Sequence, residues 1–136
     1  MARACAAIRK IINNEKKINK NYTILNAALQ EKDANSCLNY FRQLTKLRKE
    51  NPALVYGQFS LLDKDNPDVF AYTRTMDGET FFVLLNFTKK MVDFNFNEFK
   101  SVNKLLVLSN YNTADKVAAP LVKLQPYQAV IYKSEK

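Results

Sequence analysis

The first strong pattern along the chain is an apolar stripe with the spacing of a helix. Large apolar residues stand at every third position, at Leu38, Phe41, Leu44 and Leu47. Because residues three and four apart share one face of a helix, this spacing predicts a single amphipathic helix. The side chain of Asn35 or Ser36 can accept from the free N–H groups of its first turn, and Pro52 ends it.

After residue 54 the apolar period changes from helical spacing to alternation, which is typical of β-strands. Residues 80–87, TFFVLLNF, are apolar on both faces and predict a central, buried strand. In residues 91–96 apolar and polar side chains alternate, so one face of that strand should meet solvent. Asp77-Gly78 predicts a two-residue hairpin turn. The predicted strands are 55–62, 69–75, 80–87, 91–96, 105–108 and 128–133, with a weaker one at 121–124.

Six or seven short strands with hairpin-scale connections indicate the fold class. The chain is expected to be mainly β, with an antiparallel β-sandwich preceded by the amphipathic helix. Residues 18–34 are rich in Asn and predict an irregular loop with a helical turn at 25–30. Residues 1–17 predict a basic N-terminal extension, whose apolar run is too short and too interrupted for a membrane span.

The net charge of +8 is concentrated near the N-terminus of the 136-residue chain. Residues 1–20 hold six basic side chains and one acidic one, so the rest of the chain is only mildly basic. Nucleic-acid binding would depend on this arm, and a short basic arm has low specificity. The arm carries arginine and little acid, which leaves mitochondrial targeting as the alternative to a cytoplasmic location.

The scarcity of cysteine and histidine narrows the possible chemistry. The sequence has no histidine, and Cys5 and Cys37 are its only cysteines. A zinc site and a Ser-His or Cys-His nucleophile are therefore not expected, and we predict neither a metal nor a cofactor. Two isolated cysteines favour a reducing compartment, with Cys37 as a small, buried apolar residue.

Three carboxylates cluster around Asn66-Pro67, at Asp63, Asp65 and Asp68. The cluster resembles a loose calcium loop, but it lacks the glycine and the terminal glutamate of an EF-hand. A solvated turn is the interpretation that we prefer. No acidic residue of the chain stands where the sequence alone predicts a catalytic carboxylate pair.

Four aromatic residues recur on the first two predicted strands: Tyr56, Phe59, Phe70 and Tyr72. Exposed rings can stack on sugars, so a carbohydrate-binding platform is one interpretation. Aromatic residues that alternate on strands are more often part of a core, and this second interpretation is the one that we prefer.

Several stretches of the chain are distinctive: NSCLNYFRQLTKLRKENPALVYG, DNPDVFAYTR, GETFFVLLNF, LLVLSNY and LQPYQAVIY. In their order and spacing they resemble the C-terminal end of the α-glucosidases of glycoside hydrolase family 13, which are related to α-amylase. The resemblance implies that residues 18–53 are a loop and the last helix of a catalytic barrel. It implies that residues 54–136 are a C-terminal β-sandwich of the α-amylase type. One departure is Lys20, where the family usually has proline.

The resemblance also implies a parent activity. Enzymes of this family hydrolyse α-glucosidic bonds in maltose- and isomaltose-type oligosaccharides with retention, by means of two carboxylates. The family's catalytic carboxylates lie upstream of the matching segment, so none is carried over to a residue here. Only Asn19, Asn21 and Tyr22 fall in a loop that borders the pocket in the family, where any substrate contact is peripheral. The chain alone is therefore expected to be a non-catalytic C-terminal portion.

A helix from the outside of a barrel lacks part of its packing when the barrel is absent. We therefore predict an exposed apolar docking strip at Leu38, Phe41, Leu44 and Leu47, for self-association or for a second protein chain. An oligosaccharide is the other expected partner, as in a stand-alone carbohydrate-binding β-sandwich. A basic arm that contacts nucleic acid or a protein is the third interpretation, and no membrane contact is expected.

Overall fold

A computed structural model describes residues 20–96, 99, 101–112 and 120–135. These residues form three helices, α1 Ala27–Lys32, α2 Cys37–Glu50 and α3 Ala53–Tyr56. They also form seven strands: β1 Gln58–Leu62, β2 Val69–Met76, β3 Glu79–Asn86, β4 Val92–Asn95, β5 Lys104–Ser109, β6 Leu121–Leu124 and β7 Ala129–Ser134. The chain divides into two compact units, one that ends at Asn39 and one that spans Tyr40–Lys136.

In the first unit, α1 is held by side chains that supply hydrogen bonds at its two ends. The side chain of Asn26 accepts from the N–H of Leu29 at 3.0 Å, which caps the first turn of the helix. The carbonyl of Gln30 accepts from the hydroxyl of Ser36 at 2.6 Å and from the side-chain amide of Asn39 at 2.9 Å. The helical turn expected at 25–30 is therefore a helix of six residues that begins two residues later.

The amphipathic helix α2 begins and ends close to where the sequence predicts. The hydroxyl of Ser36 accepts from the N–H of Asn39 at 3.3 Å, so Ser36 rather than Asn35 is the capping residue. The helix ends at Glu50, just before the residue that precedes Pro52. Proline disfavours helical geometry in the residue before it, which explains this end.

Two local predictions are wrong. Cys37 is exposed rather than buried, because it is the first residue of α2 and no preceding helical turn covers it. Val55 and Tyr56 lie in α3 rather than at the start of a strand. Pro52 has φ −54° and ψ −30°, which suit the start of a helix, and its carbonyl accepts from the N–H of Tyr56 at 2.8 Å.

The strands form two antiparallel sheets, which confirms the predicted sandwich. Five strands are hydrogen-bonded in the order β1-β2-β3-β7-β5, and β4 pairs with β6. As its two apolar faces predict, β3 lies in the centre of the larger sheet, and residues 81–84 are all buried. The alternation expected in β4 is also confirmed, with Phe94 buried and Asp93 exposed.

The main core lies between the two sheets. The ring of Phe96 meets the rings of Phe82 at 5.5 Å and Phe94 at 5.3 Å, measured between centroids. Both pairs are edge to face, a geometry that adds to the stabilisation from buried area. The buried residues of this core are Val69, Ala71, Phe82, Leu84, Phe94, Phe96, Leu124, Val130 and Tyr132.

A second apolar cluster lies on the opposite face of the larger sheet. Its buried members are Ala53, Leu54, Phe81, Val83 and Ile131. Leu44 and Leu47 of α2 pack against this cluster and are half-buried. Helices α2 and α3 thus cover part of this face of the sheet.

The turn between β2 and β3 uses backbone angles that favour glycine. Asp77 has φ 52° and Gly78 has φ 78°, the two positive angles of the predicted hairpin turn. We expect Gly78→Ala to lower the free energy of unfolding by about 1 kcal/mol, because a Cβ is strained at a positive φ. No atom within 4 Å would clash with that Cβ, so the loss reports backbone strain alone.

Urea denaturation of the parent and variant chains measures this loss. The matched control is Asp77→Asn, which we expect to change the free energy of unfolding by less than about 0.5 kcal/mol, because asparagine tolerates the same angle. A Gly78→Ala chain as stable as its parent would show that this turn adopts another geometry.

Candidate functional surface

The loop residues Asn19, Asn21 and Tyr22, singled out by the resemblance, can be located in part. Asn19 lies outside the described residues. The carbonyl of Asn21 accepts from the N–H groups of Ile24 at 3.0 Å and Leu25 at 2.7 Å, which forms a turn before α1. The side chain of Tyr22 is exposed. A peripheral contact of these residues with substrate stays a prediction.

The predicted docking strip on α2 is unevenly exposed. Phe41 has 60% of its surface exposed. Leu44 and Leu47 are half-buried against the second cluster, and Leu38 is also half-buried. The strip therefore offers ring surface mainly at Phe41, and its docking role stays a prediction.

Three rings form a row across β1 and β2, on the face that carries the second cluster. In this aromatic row, the ring centroid of Tyr72 lies 5.2 Å from that of Phe59 and 5.6 Å from that of Phe70. Phe59 is 49% exposed, Phe70 is 42% exposed, and Tyr56 just before β1 is exposed too. The prediction of core positions is wrong for Tyr56, Phe59 and Phe70, because alternation shows which face of a strand is apolar but not whether another element covers that face.

Arg74 borders the aromatic row and links β2 to α3. It lies opposite Phe59 in the register of β1 and β2. Its Nη2 donates a hydrogen bond to the carbonyl of Val55 in α3. Its Nε is buried and has no hydrogen-bond partner among the described residues. The hydrogen bond from Nη2 therefore ties β2 to α3.

The carboxylates around Asn66 form a turn that the asparagine side chain organises. Its Oδ1 accepts from the N–H groups of Asp68 at 3.1 Å and Val69 at 2.9 Å. Its Nδ2 donates to the carboxylate of Asp63 at 2.8 Å. Across the described ranges, no group of three His, Cys, Asp or Glu side chains could hold a metal ion. An asparagine-closed turn accounts for the clustering of these residues.

A shallow depression of about 460 Å³ borders this turn. Its lining consists of Asn66, Pro67, Asp68, Val69, Phe70 and Phe87. Phe70 and Phe87 expose ring surface, and Asp68 lies beside them. Two exposed rings beside a carboxylate are suited to bind a polar ligand that also has an apolar face, such as a sugar.

Phe87 was not singled out by the sequence pattern, which places it at the end of the buried strand 80–87. In the structure β3 ends at Asn86, and Phe87 is exposed. The side-chain oxygen of Asn86 accepts from the N–H of Thr88 at 2.8 Å, which turns the chain away from the sheet. The polar run that follows Phe87 was the available signal for this early end.

The order and spacing of β1 to β7 match a known family of domains. The family model of the maltogenic amylase C-terminal domain matches residues 59–131, from Phe59 in β1 to Ile131 in β7. The chain belongs to this family. Both sheets, the main core and the aromatic row lie almost entirely within the matched residues of this maltogenic amylase C-terminal domain.

The chain is similar to glucosidases that are much longer than it is. The oligo-1,6-glucosidase of Halalkalibacterium halodurans is 36% identical over 116 residues, and that of Bacillus cereus is 36% identical over 121 residues. Each alignment covers 85% of this chain but 21% of the relative. The chain therefore spans about a fifth of the length of the relatives that it matches.

Solved structures contain the same fold. Isomaltulose synthase from Klebsiella sp. superposes with a TM-score of 0.82 at 32% identity, and trehalulose synthase from Pseudomonas mesoacidophila with 0.81 at 35%. Each match covers 89% of this chain and 22% of the solved chain. The chain thus corresponds to the C-terminal part of a glycoside hydrolase family 13 α-glucosidase, and the mainly β fold class is confirmed.

Proposed function

We propose that this domain acts as the non-catalytic C-terminal part of an α-glucosidase-like enzyme. The observation that carries the proposal is the coverage, since 85% of the chain aligns with only 21% of proteins named oligo-1,6-glucosidase. The family model of the maltogenic amylase C-terminal domain, which matches residues 59–131, supports the same assignment. Its contribution to such an enzyme is a folded, well-packed domain rather than a reacting group.

The activity that we propose for the whole enzyme is retaining hydrolysis of α-glucosidic bonds in maltose- and isomaltose-type oligosaccharides. In this reaction one carboxylate attacks the anomeric carbon and a second protonates the leaving oxygen, with the two carboxyl groups about 5–5.5 Å apart. In barrel enzymes such groups stand on loops at one end of eight parallel strands. The strands described in this chain are all antiparallel, unlike the strands of such a barrel. This difference favours a structural role for the sandwich rather than a catalytic one.

We expect the purified chain to release no glucose from maltose, isomaltose or an aryl α-glucoside. The physical reason is that the described residues form a packed sandwich, and they contain no barrel that could align two carboxylates on a substrate. The Bacillus cereus oligo-1,6-glucosidase, at equal molar concentration, is the positive control. Turnover that stays with the chain through a second purification, and is lost when the chain is denatured, would contradict the proposal.

A chimeric enzyme tests whether this chain can serve as the C-terminal part of an α-glucosidase. Residues 20–136 of this chain replace the matching segment of the Bacillus cereus enzyme, and the same enzyme without that segment is the control. We expect the chimeric enzyme to hydrolyse isomaltose and the shortened enzyme to be inactive or insoluble. A chimeric enzyme that performs no better than the shortened enzyme would count against a shared structural role.

Under this proposal, the exposed apolar residues of the domain form a contact surface for another part of the enzyme or for a second chain. Helices α2 and α3 precede β1 and lie on the same face of the sheet as the aromatic row. The preceding part of such an enzyme, or a second protein chain, would therefore meet Phe41 and the aromatic row. The exposure of Phe41 supports this partner surface.

The alternative function is a stand-alone carbohydrate-binding sandwich. The depression beside Phe70 and Phe87 favours it, because exposed rings and a carboxylate are gathered there. Titration with maltose or isomaltose, followed by NMR, discriminates between the two functions. Shifts confined to residues around this depression would favour binding, and unchanged spectra at millimolar sugar would exclude it.

The location of the protein is a separate proposal. In the part of the chain that the structure describes, no helix has the length and the apolar composition needed to cross a membrane. We propose a cytoplasmic location, which the exposed free thiol of Cys37 supports, because free thiols persist in reducing compartments. Fractionation of cells with an antibody against the chain tests this.

A further inference from the structure

The edges of the two sheets differ in how well they are protected from pairing with another chain. An edge strand presents unpaired N–H and C=O groups, and proteins protect such edges with charges, proline or bulges. On the far edge of the larger sheet, β5 carries a register irregularity between Leu106 and Leu108. In the smaller sheet, Asp93 and Lys123 place charges on β4 and β6. Each of these edges therefore has a protective feature.

Strand β1 has none of these features. Its sequence, QFSLL, contains no charged residue and no proline. Its pairing with β2 runs without a bulge from Gln58 opposite Thr75 to Leu62 opposite Ala71. In the described part of the chain β2 is the only neighbour of β1, and four of the five residues of β1 are exposed. β1 is therefore a straight, uncharged edge with its outer backbone groups accessible.

The side chains beside this edge are apolar as well. Phe59 and Leu61 project from β1 on the face of the aromatic row, and Leu61 lies opposite Tyr72 in the register. Leu61 is 44% exposed, close to the values for Phe59 and Phe70. An added strand next to β1 would cover Phe59 and Leu61 from the side while it pairs with the backbone.

We propose that β1 pairs antiparallel with β1 of a second copy of this chain, around a two-fold axis at Ser60. Such pairing joins two five-stranded sheets into one sheet of ten strands. It places Phe59 of each copy opposite Leu61 of the other, on the same face of the joined sheet. A two-fold interface requires one surface to be complementary to itself, and an antiparallel edge with apolar residues on both sides of its centre meets this requirement.

The area of contact indicates a weak and reversible dimer. The exposed surface of Phe59, Leu61 and Phe70 amounts to roughly 300 Å² in each copy. A stable interface buries about 800 Å² on each partner, so the dimer should form only at micromolar concentrations or above. The charged residues that give the net charge of +8 lie outside β1. Salt screens the repulsion between two positively charged copies, so we expect dimerisation to strengthen as the salt concentration rises.

Charge substitution at Ser60 in the full chain tests the proposal. Ser60→Lys and Ser60→Glu each place two like charges opposite one another across the two-fold axis, which is unfavourable in paired strands. By sedimentation equilibrium we expect each variant alone to dimerise at least tenfold more weakly than the parent, and an equimolar mixture of the two to dimerise again. The control is Leu121→Lys, an exposed position on β6, which should dimerise like the parent.

Hydrogen exchange of the unmodified chain gives a second readout that needs no variant. We expect the amides of β1 that point away from β2 to exchange more slowly as the concentration rises, while the outward amides of β5 do not change. A parent that stays monomeric, a mixture no stronger than its separate variants, or an equal effect of Leu121→Lys would overturn the proposal. Protection of these outward amides at every concentration would also overturn it, since another segment or partner would then cover the edge.

Discussion

Replacement of Phe82 by alanine should lower the free energy of unfolding by about 3–5 kcal/mol. Phe82 is fully buried in the main core, and its ring meets those of Phe96 at 5.5 Å and Phe99 at 5.1 Å, edge to face. Truncation removes these contacts and leaves a cavity between the two sheets, because their close-packed side chains cannot move enough to fill it. The loss is a large part of a typical domain's stability, so the thermal midpoint should fall by more than about 10 °C.

Urea denaturation followed by circular dichroism measures the loss, with Phe87→Ala as the control. Phe87 follows the same strand but is exposed, so its truncation should change the free energy of unfolding by less than about 0.5 kcal/mol. Equal effects of the two substitutions would show that Phe82 is not clamped between the two sheets.

The sandwich could be predicted from the chain because its signals are local. Strand β3 is apolar on both faces, and only a central strand between two packed layers buries both of its faces. The positive φ values at Asp77 and Gly78 follow from the chemistry of a two-residue turn, which fixes the register of β2 and β3. Helix α2 follows from its apolar stripe and from the proline after it. None of these inferences needs knowledge of distant contacts.

The exposure of the aromatic residues on β1 and β2 could not be predicted, because it depends on which elements meet in space. Phe59 and Phe70 have the alternation of core residues, yet α2 and α3 cover only part of their face of the sheet. The sequence pattern predicts a strand at Val55, because over four residues the apolar spacing of a strand resembles that of a single helical turn. The edge position of β1 likewise follows from the strand order and not from its own sequence.

From the sequence, the family of the chain could be predicted, but the residues of its candidate surfaces could not. Resemblance assigns the chain to the end of a longer enzyme and transfers no catalytic residue to it. The aromatic row and the depression beside Phe87 required the structure, because their residues come from different strands and turns. The edge position of β1 also required the structure. The experiments on partners therefore address these surfaces, whereas the experiments on stability address the core.

Lys104 is the clearest case of a residue whose environment the sequence does not reveal. It opens β5 and is 0% exposed. Its ammonium donates to the carbonyls of Phe99 at 2.6 Å and Val102 at 2.7 Å, and it lies 4.5 Å from the ring centroid of Phe96. No carboxylate among the described residues pairs with it. The ammonium therefore closes the turn before β5 by satisfying two carbonyls at the margin of the main core.

Replacement of Lys104 by methionine should lower the free energy of unfolding by about 1–3 kcal/mol at neutral pH, because two carbonyls lose their donor. The matched control is Lys133→Met. Lys133 also lies near a buried ring, 5.3 Å from the centroid of Phe81, but it is partly exposed and pairs with Glu79 at 2.9 Å. Because a partly exposed ion pair contributes little, we expect this control to lose less than about 1 kcal/mol.

The parent and the Lys104→Met variant should also differ in their dependence on pH. Burial lowers the pKa of Lys104 below its usual value of 10.5. Between the lowered and the usual value the unfolded chain binds more protons than the folded chain, so the free energy of unfolding of the parent rises with pH in that interval. The variant lacks this rise, and the advantage of the parent should therefore widen as the pH rises through that interval towards the usual value of 10.5.

Burial also raises the pKa of Tyr40, which lowers stability once the unfolded tyrosine ionises, but both chains carry Tyr40 and its effect cancels in their difference. Urea titrations of the two chains at a series of pH values measure that difference directly. An advantage that stays constant or narrows as the pH rises would mean that the amine of Lys104 is solvated in the folded chain. The two carbonyls of the turn would then be satisfied by water rather than by the ammonium.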